Sequence, residues 1–379
     1  MQLGTKSAQK RAPRLKSLSP PRRRSLQKKL LAWYRAGHRD LPWRRTRDPY
    51  RIWVSEVMLQ QTQTVKVLEY YERFLARFPN PAALAAASQD EVLKAWEGMG
   101  YYARARNLHR AAKYICENLQ GRLPREYEQL LQIPGIGPYT AAAVSSIAFK
   151  HDHAVVDGNV ERVLSRWFLI QQPPKATKTK KLLRELAQQV LAKGQARYWN
   201  QAVMELGAQI CTPRAPKCEI CAVMRYCRAF QELDDPAQLP VKMPRKELPH
   251  HQIAVGLVWN KGKLLIDQRK NDGLLGGLWE FPGGKIELGE TPAQALHREI
   301  REELAVEVEV GDFYTVVEHA YTHLRVTLNV YHCLYQNGDP KTLGCQNWRW
   351  VEPAELRQFA FPNANRRIID RLLNEVVEQ

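Results

Sequence analysis

The chain has 379 residues, of which 44% are hydrophobic, enough for two packed domains rather than one. Its formal charge of +18 points to a polyanionic partner. The absence of an apolar run of about eighteen residues, or of a signal-like apolar core, argues against a membrane-spanning or secreted protein.

The charge is uneven. Residues 1–30 carry ten Lys/Arg and no acid, residues 31–250 carry 33 basic against 21 acidic residues, and residues 251–379 carry 14 against 18. A polyanion suits the first two stretches and not the third. Residues 1–24 read as a basic, disordered tail, for which nonspecific contact with nucleic acid and an organellar targeting role both fit. Ser25 to Arg35 predicts an amphipathic helix with Leu26, Leu30 and Trp33 on one face. Arg39-Asp40-Leu41-Pro42-Trp43-Arg44 then forms a turn rich in cations and aromatics.

Ile52 to Val67 predicts one helix, with Val54, Val57, Met58 and Val65 on a buried stripe. Glu56 stands in that apolar setting, where a carboxyl keeps its proton toward neutral pH and can act as an acid. The plainer reading is a partly exposed helix Glu. Gln60, Gln61 and Gln63 are either solvated or placed to fill the gap left by an extruded base. After a helix at Glu91–Trp96 comes Gly98-Met99-Gly100-Tyr101-Tyr102-Ala103-Arg104-Ala105-Arg106. It reads as a wedge aromatic with phosphate-binding arginines, or as a helix start with a solvated face.

The centre of the chain is Ile133-Pro134-Gly135-Ile136-Gly137, a tight turn between two helical patterns. The proline stops the first helix, and the glycines turn the backbone with no side chain in the way. The next helix, Tyr139 to Ala148, offers free N–H groups at its start, which suits a phosphate. A simple interhelical turn fits as well. Asp157 follows 22 residues after Gly135 and, with Asn159, precedes a helix that either of them could cap. Helices are expected to continue to about Gly207. Cys211, Cys218, Cys221 and Cys227 then stand within 17 residues. Four thiolates hold zinc or an iron–sulfur cluster, and the Cys-x6-Cys-x2-Cys-x5-Cys spacing lacks the paired knuckles usual for zinc, so a cluster is preferred. Cys116, Cys333 and Cys345 read as packing residues.

Together these motifs resemble the helix-hairpin-helix DNA glycosylases that carry an iron–sulfur cluster, and among them the adenine DNA glycosylases. The resemblance covers about residues 25–230 and rests on Trp53 to Gln63, Gly98 to Tyr102, the hairpin, Val156 to Val160 and the four cysteines. It implies an all-α domain with a 4Fe-4S cluster on Cys211, Cys218, Cys221 and Cys227. It implies Glu56 as the acid that protonates adenine and Asp157 as the carboxylate that stabilises the sugar cation or adds to it. It implies Tyr101 as the wedge beside the oxidised guanine, and Arg39, Trp43 and Glu205 at the adenine pocket. Gln61, Gly135, Gly137 and Asn159 join the expected DNA- and base-contacting set. Related endonuclease III-type enzymes attack the sugar with a lysine where this chain has Tyr139. A tyrosine cannot form a Schiff base, so water should be the final nucleophile and the strand should stay mostly uncut.

Residues 231–250 read as a proline-punctuated linker, and 251–379 as a second domain. Strands are expected at Ile253–Trp259 and Lys263–Ile266. A glycine loop, Gly283-Gly284, leads to a helix capped by Thr291, Pro292 and Gln294. That helix bears Glu299, Glu302 and Glu303 at spacings that place them on one face, which a divalent cation would relieve. Gly284 through Glu303 resembles the Nudix box of pyrophosphohydrolases, except that Ala305 stands where glycine is usual. The resemblance implies an α/β sandwich and Mg²⁺ or Mn²⁺ held by Gly284, Glu299, Glu302 and Glu303. In adenine glycosylases this domain reads 8-oxoguanine, and His319-Ala320-Tyr321-Thr322-His323-Leu324 resembles the family's recognition loop, with Tyr321, Thr322 and His323 as its contacts. Two expectations stand side by side: a lesion reader, and a hydrolase of 8-oxo-dGTP. The expected substrate is duplex DNA with adenine opposite 8-oxoguanine or guanine. The expected protein is a monomer that binds no membrane, in the bacterial cytoplasm at the nucleoid or, in a eukaryote, in an organelle or nucleus.

Overall fold

The computed structural model describes residues 18–243 and 247–377. Residues 1–17 of the expected tail lie outside the described residues, whereas 20–24 already belong to the first helix. That helix, α1 (Pro20–Gly37), opens on two prolines, which suit a first turn because its N–H groups have no helical acceptor. Leu26, Leu30, Leu31 and Tyr34 bury one stripe, and Trp33 lies beside it, half-buried.

The expectation of a single helix from Ile52 to Val67 is corrected. The chain forms α2 (Pro49–Met58), a turn, and α3 (Thr64–Arg77). Gln61 takes a left-handed φ of 57°, and Val65 is 70% exposed rather than on the buried stripe. The turn is held from outside by the Arg104 side chain, which takes up its carbonyls. Next come α4 (Pro81–Ala86), capped by Asn80, and α5 (Gln89–Trp96), opened by a Ser88/Glu91 capping box. Five longer helices follow with one short turn among them: α6 (Ala103–Asn118), the short α7 (Tyr127–Leu130), α8 (Pro138–Ile147), α9 (Gly158–Trp167), α10 (Thr177–Val190) and α11 (Ala196–Gln209). The short α12 (Arg228–Glu232) closes the helical part.

Packing divides the described chain into two compact units. The first draws on Met1–Trp53, Arg125–Leu131 and Ile136–Pro244, the second on Val54–Pro124, Gln132–Gly135 and Arg245–Gln379. In the first, α1, α9, α10 and α11 enclose a core of Leu26, Leu30, Val163, Leu183, Trp199 and Leu206.

The second unit joins α3 to α6 with a seven-stranded mixed sheet. The strands are β1 (His250–Asn260), β2 (Lys263–Gln268), β3 (Trp279–Glu280), β4 (Gly283–Lys285), β5 (Glu307–Ala320), β6 (Arg325–Asn337) and β7 (Asn347–Val351). β1 is parallel to β6 and antiparallel to β2 and β4, while β2 carries β3 and β7. Alternation along β1 and β2 serves two faces. Val255, Leu257, Leu264 and Ile266 pack with α14 (Asn363–Val377), and Ala254, Val258 and Leu265 pack with α13 (Pro292–Leu304). The expected α/β sandwich is present, with the predicted Thr291/Gln294 capping box on α13. Cys333 and Cys345 are packing residues of its core. Helix α5 and the start of α6 dock on this layer: Gln268 Nε2 donates to Asp90 at 2.7 Å, the Phe361 N–H donates to Glu97 at 3.0 Å, and Arg106 donates to the Gly276 carbonyl. No helix among the described residues is long and apolar enough to cross a membrane.

Candidate active site

In the first unit, Asp157 is the N-cap of α9. Its Oδ1 accepts from the Val160 N–H at 2.7 Å, and its Oδ2 accepts from Asn159 Nδ2 at 2.9 Å. The capping role read from the sequence is therefore real, and Asn159 serves the same carboxylate. Burial pushes the Asp157 pKa above its ordinary value, against these hydrogen bonds and the charge of Arg162.

Arg162 and Arg166 were not singled out by sequence, although both lie on α9, four residues apart. Arg162 donates to Asn159 Oδ1 at 2.8 Å, to the Gly207 carbonyl at 2.7 Å and to the Cys211 carbonyl at 2.7 Å. Arg166, 1% exposed, donates to Cys211 Sγ at 3.2 Å and to the carbonyls of Thr212, Pro213 and Leu239. One helix thus carries the Asp157 carboxylate at its start and holds the cysteine loop farther along. An arginine on an otherwise buried helix face was the available signal.

Cys211, Cys218, Cys221 and Cys227 line one cavity with Arg166, Ile210 and Met224. Burial pushes the Cys221 thiol up to about 11 and the Cys227 thiol up to about 12, and the neighbouring thiols add to both. Four neighbouring thiols lose their protons together only when a cationic centre takes the charge, so this donor set fits an iron–sulfur cluster. Among the described residues, no three His, Cys, Asp or Glu side chains are grouped so that they could hold a single metal ion.

Glu205 on α11 is 1% exposed and ties down the cation-rich turn. Arg39 donates to it from its backbone N at 3.1 Å, Nε at 2.9 Å and Nη2 at 2.7 Å, and Arg44 from Nη2 at 2.8 Å. Burial alone would raise its pKa, but the two arginines outweigh it and hold the carboxyl at about 2. Arg44 belongs to the same turn as Arg39, yet sequence reasoning gave it no role. Trp43, beside it, is 6% exposed.

The hairpin glycines differ. Gly135 has φ +85°, and a Cβ there would come within 2.9 Å of Asn107 on α6, so both backbone and space require glycine. Gly137 is the N-cap of α8 in an extended conformation, and a Cβ there would meet open space. What glycine leaves at 137 is an unobstructed helix start. Tyr139 is half-buried and packs beside Ala142, Ala143 and Ile147.

In the second unit, Glu56 is 4% exposed on α2, beside the buried Val54, Val57 and Met58. The partly exposed alternative is excluded. Gln61 is exposed on the following turn. Arg104 is corrected from a phosphate ligand to a buried brace. Its Nη1 donates to the carbonyls of Val57 at 3.0 Å and Met58 at 2.8 Å, and its Nη2 to Thr62 Oγ1 at 3.0 Å and the Gly100 carbonyl at 3.1 Å. The free carbonyls at a helix end attract a cation, and burial lowers the Arg104 pKa to about 10, where it stays charged. Arg106 is likewise committed, to the Gly276 carbonyl.

Tyr101 is 41% exposed with a left-handed φ of 49°. Its hydroxyl lies 2.8 Å from Thr322 Oγ1. The expected wedge and the expected reading loop are therefore in direct contact. In that loop Tyr321 packs edge-on against His319 at 4.5 Å, and Thr322 and His323 are exposed.

Glu299, Glu302 and Glu303 lie on α13 at the spacing expected for one face, and Arg298 stands among the carboxylates. Arg298 takes the central place: it pairs with Glu290 at 2.7 Å, Glu299 at 3.0 Å and Glu302 at 3.5 Å. Glu302 is half-open to water at its side chain, 59% exposed, and the charges of Glu280 and Glu299 both act on Glu303. A Cβ at Gly284 would meet the far end of the Glu299 side chain, which would have to shift. Ala305 does sit at positive φ, 58°, the conformation glycine takes more easily.

Comparison with known proteins agrees with this architecture. Residues 54–189 match the HhH-GPD superfamily of base excision DNA repair proteins, and residues 254–371 match the NUDIX domain. Among solved structures, a thermostable thymine-DNA glycosylase is similar with a TM-score of 0.51 and 32% identity, over 55% of this chain and 96% of that one. The adenine DNA glycosylase of Rattus norvegicus is 35% identical over 91% of this chain and 77% of its own length. That of Homo sapiens is 35% identical over 89% of this chain and 72% of its own. With both domains matched and relatives at this identity across most of its length, the chain belongs to the adenine DNA glycosylase family.

Proposed function

We propose that the protein hydrolyses the N-glycosidic bond of adenine mispaired with 8-oxoguanine or guanine in duplex DNA, leaving an abasic site. The observation that carries this reading is two carboxyls, Glu56 buried on α2 and Asp157 half-buried at the N-cap of α9. Cleavage of this bond needs an acid for the departing base and a negative charge for the oxocarbenium-like sugar. Glu56, within an apolar helix face, supplies the first. Asp157, oriented by Asn159 and the Val160 N–H, supplies the second. The base must leave the stack to reach them. The open start of α8 at Gly137 suits a backbone phosphate. With Tyr139 in place of a lysine, water completes the reaction and the strand stays uncut. The four cysteines would hold a 4Fe-4S cluster, which would pin the loop that Arg162 and Arg166 join to α9. Iron and acid-labile sulfide analysis of the purified protein checks this.

The C-terminal domain is read as the part that recognises the oxidised base, supported by the hydrogen bond between Tyr101 and Thr322. Hydrolysis of 8-oxo-dGTP is the weaker reading, because Arg298 already neutralises Glu290 and Glu299. The test is single-turnover adenine release from A:8-oxoguanine and A:G duplexes. Glu56→Gln and Asp157→Asn should each slow release by about 10²-fold or more while duplex binding persists. Full activity in Asp157→Asn would overturn the mechanism. Loss of duplex binding in Glu56→Gln would make that residue structural.

A further inference from the structure

A polar pocket of about 380 Å³ opens within the second unit between α3, α5 and α14. Arg73 and Arg77 reach it from α3, Lys94 and Glu97 from α5 and its end, and Arg366 from α14. Two of the cations are already committed. Lys94 Nζ donates to Glu97 at 2.6 Å and to the Phe359 carbonyl at 2.9 Å, and Arg77 pairs with Glu91 at 2.7 Å. Glu97 is occupied as well, since its other oxygen accepts the Phe361 N–H at 3.0 Å.

Arg73 and Arg366 remain. Arg73 lies over the Tyr70 ring, 4.7 Å from its centroid. Arg366 Nη1 is 3.5 Å from the point a Cβ on Gly98 would occupy, and that Cβ would also strike the Tyr70 hydroxyl. Among the described residues neither guanidinium has an ion-pair partner. Arg73 is exposed and Arg366 half-buried, and two cations on different elements facing one recess offer an anion favourable Coulomb energy there beyond what Glu97 already supplies. A guanidinium fork matches the oxygens of a phosphate better than an ammonium does, and phosphate has enough oxygens to accept from both forks. We propose that Arg73 and Arg366, with Arg77 at the rim, form a phosphate-binding pocket that takes either a backbone phosphate of DNA or a free phosphoanion such as a nucleoside diphosphate.

The test uses the full chain in EDTA, so that no metal-dependent phosphate binding contributes. Inorganic pyrophosphate is titrated by calorimetry, and mismatch-free duplex is titrated over a salt series. Wild type and Arg73→Gln/Arg366→Gln are compared, with Arg73→Lys/Arg366→Lys as the charge-retaining variant and a melting curve as the check on folding. If the double variant fails to fold, the two single Gln variants take its place. A free phosphoanion predicts saturable pyrophosphate binding that weakens at least tenfold in the Gln variant and partly returns with Lys. A DNA phosphate predicts a salt slope of log K shallower by about 0.9 for each phosphate the variant no longer neutralises. Unchanged behaviour of the Gln variants in both titrations would overturn the proposal.

Discussion

Glu205 in the first unit and the carboxyls of Asp267, Glu280 and Glu303 in the second answer burial in opposite ways. Glu205 meets two arginines, and the carboxyl is held at about 2 although burial pushes the other way. Around Asp267, 2% exposed, Arg269 serves three carboxyls and directs its hydrogen bonds to Glu280, at 2.7 and 2.9 Å. Asp267 Oδ1 is left without a hydrogen-bond partner, and its pKa is pushed well above the ordinary value by burial and then by Glu280. Glu303 is pushed up to about 7 by burial, then by Glu280 and Glu299. Depth alone does not set the charge of a buried acid. The number of guanidiniums per carboxyl does.

The contrast can be broken most forcefully at Glu205. Glu205→Gln leaves Arg39 and Arg44 without their counter-charge, and denaturant unfolding should report a loss of about 3–5 kcal/mol. Wild-type unfolding followed against pH should show the same pair from the other side. A depressed carboxyl contributes stability above its unfolded pKa, here 4.5, and loses it as pH falls toward about 2; the loss over that window should be on the order of 3 kcal/mol and absent in Glu205→Gln. Glu303 reverses the sign. Its raised pKa costs stability as pH rises from 4.5 through about 7, so Glu303→Gln should gain about 1–2 kcal/mol at pH 8 and nothing at pH 4, with partial exposure moderating the size. The smallest effect belongs to Ala305, at φ 58°. Ala305→Gly should raise the melting temperature by an amount worth about 0.5–1 kcal/mol, and a drop would mean that the added backbone freedom outweighs the strain.

These buried groups also mark where the sequence was legible and where it was not. Local signals carried well. The Thr291-Pro292-x-Gln294 start of α13, the glycine turn at 135 and the apolar stretch of β1 are local signals, and each produced the element it predicted. Asp157 was legible in position because a cap is a local device. The failures came from side chains that reach across the fold. Nothing near Leu59 announces a break in the helix, because the cation that ends it, Arg104, is more than forty positions away by sequence (46 from Met58). Glu299, Glu302 and Glu303 share a helical face as their spacing says, but helical spacing cannot show the Glu280 strand arriving to push the Glu303 pKa up. Arg73 and Arg366 lie on helices nearly three hundred residues apart by sequence, and only folding sets them around one recess.

The contact between Tyr101 and Thr322 has a thermodynamic consequence. Exposed loops usually lose conformational freedom when they seize a ligand, and that loss subtracts from affinity. Here one hydroxyl pair joins two loops in the free protein, with the Tyr101 backbone already in its left-handed bend. Much of the ordering is therefore completed during folding. On the proposed reading of this pair as wedge and lesion reader, a jaw set in advance accommodates poorly what does not fit it, and discrimination between opposing bases would come from rigidity rather than from added contacts.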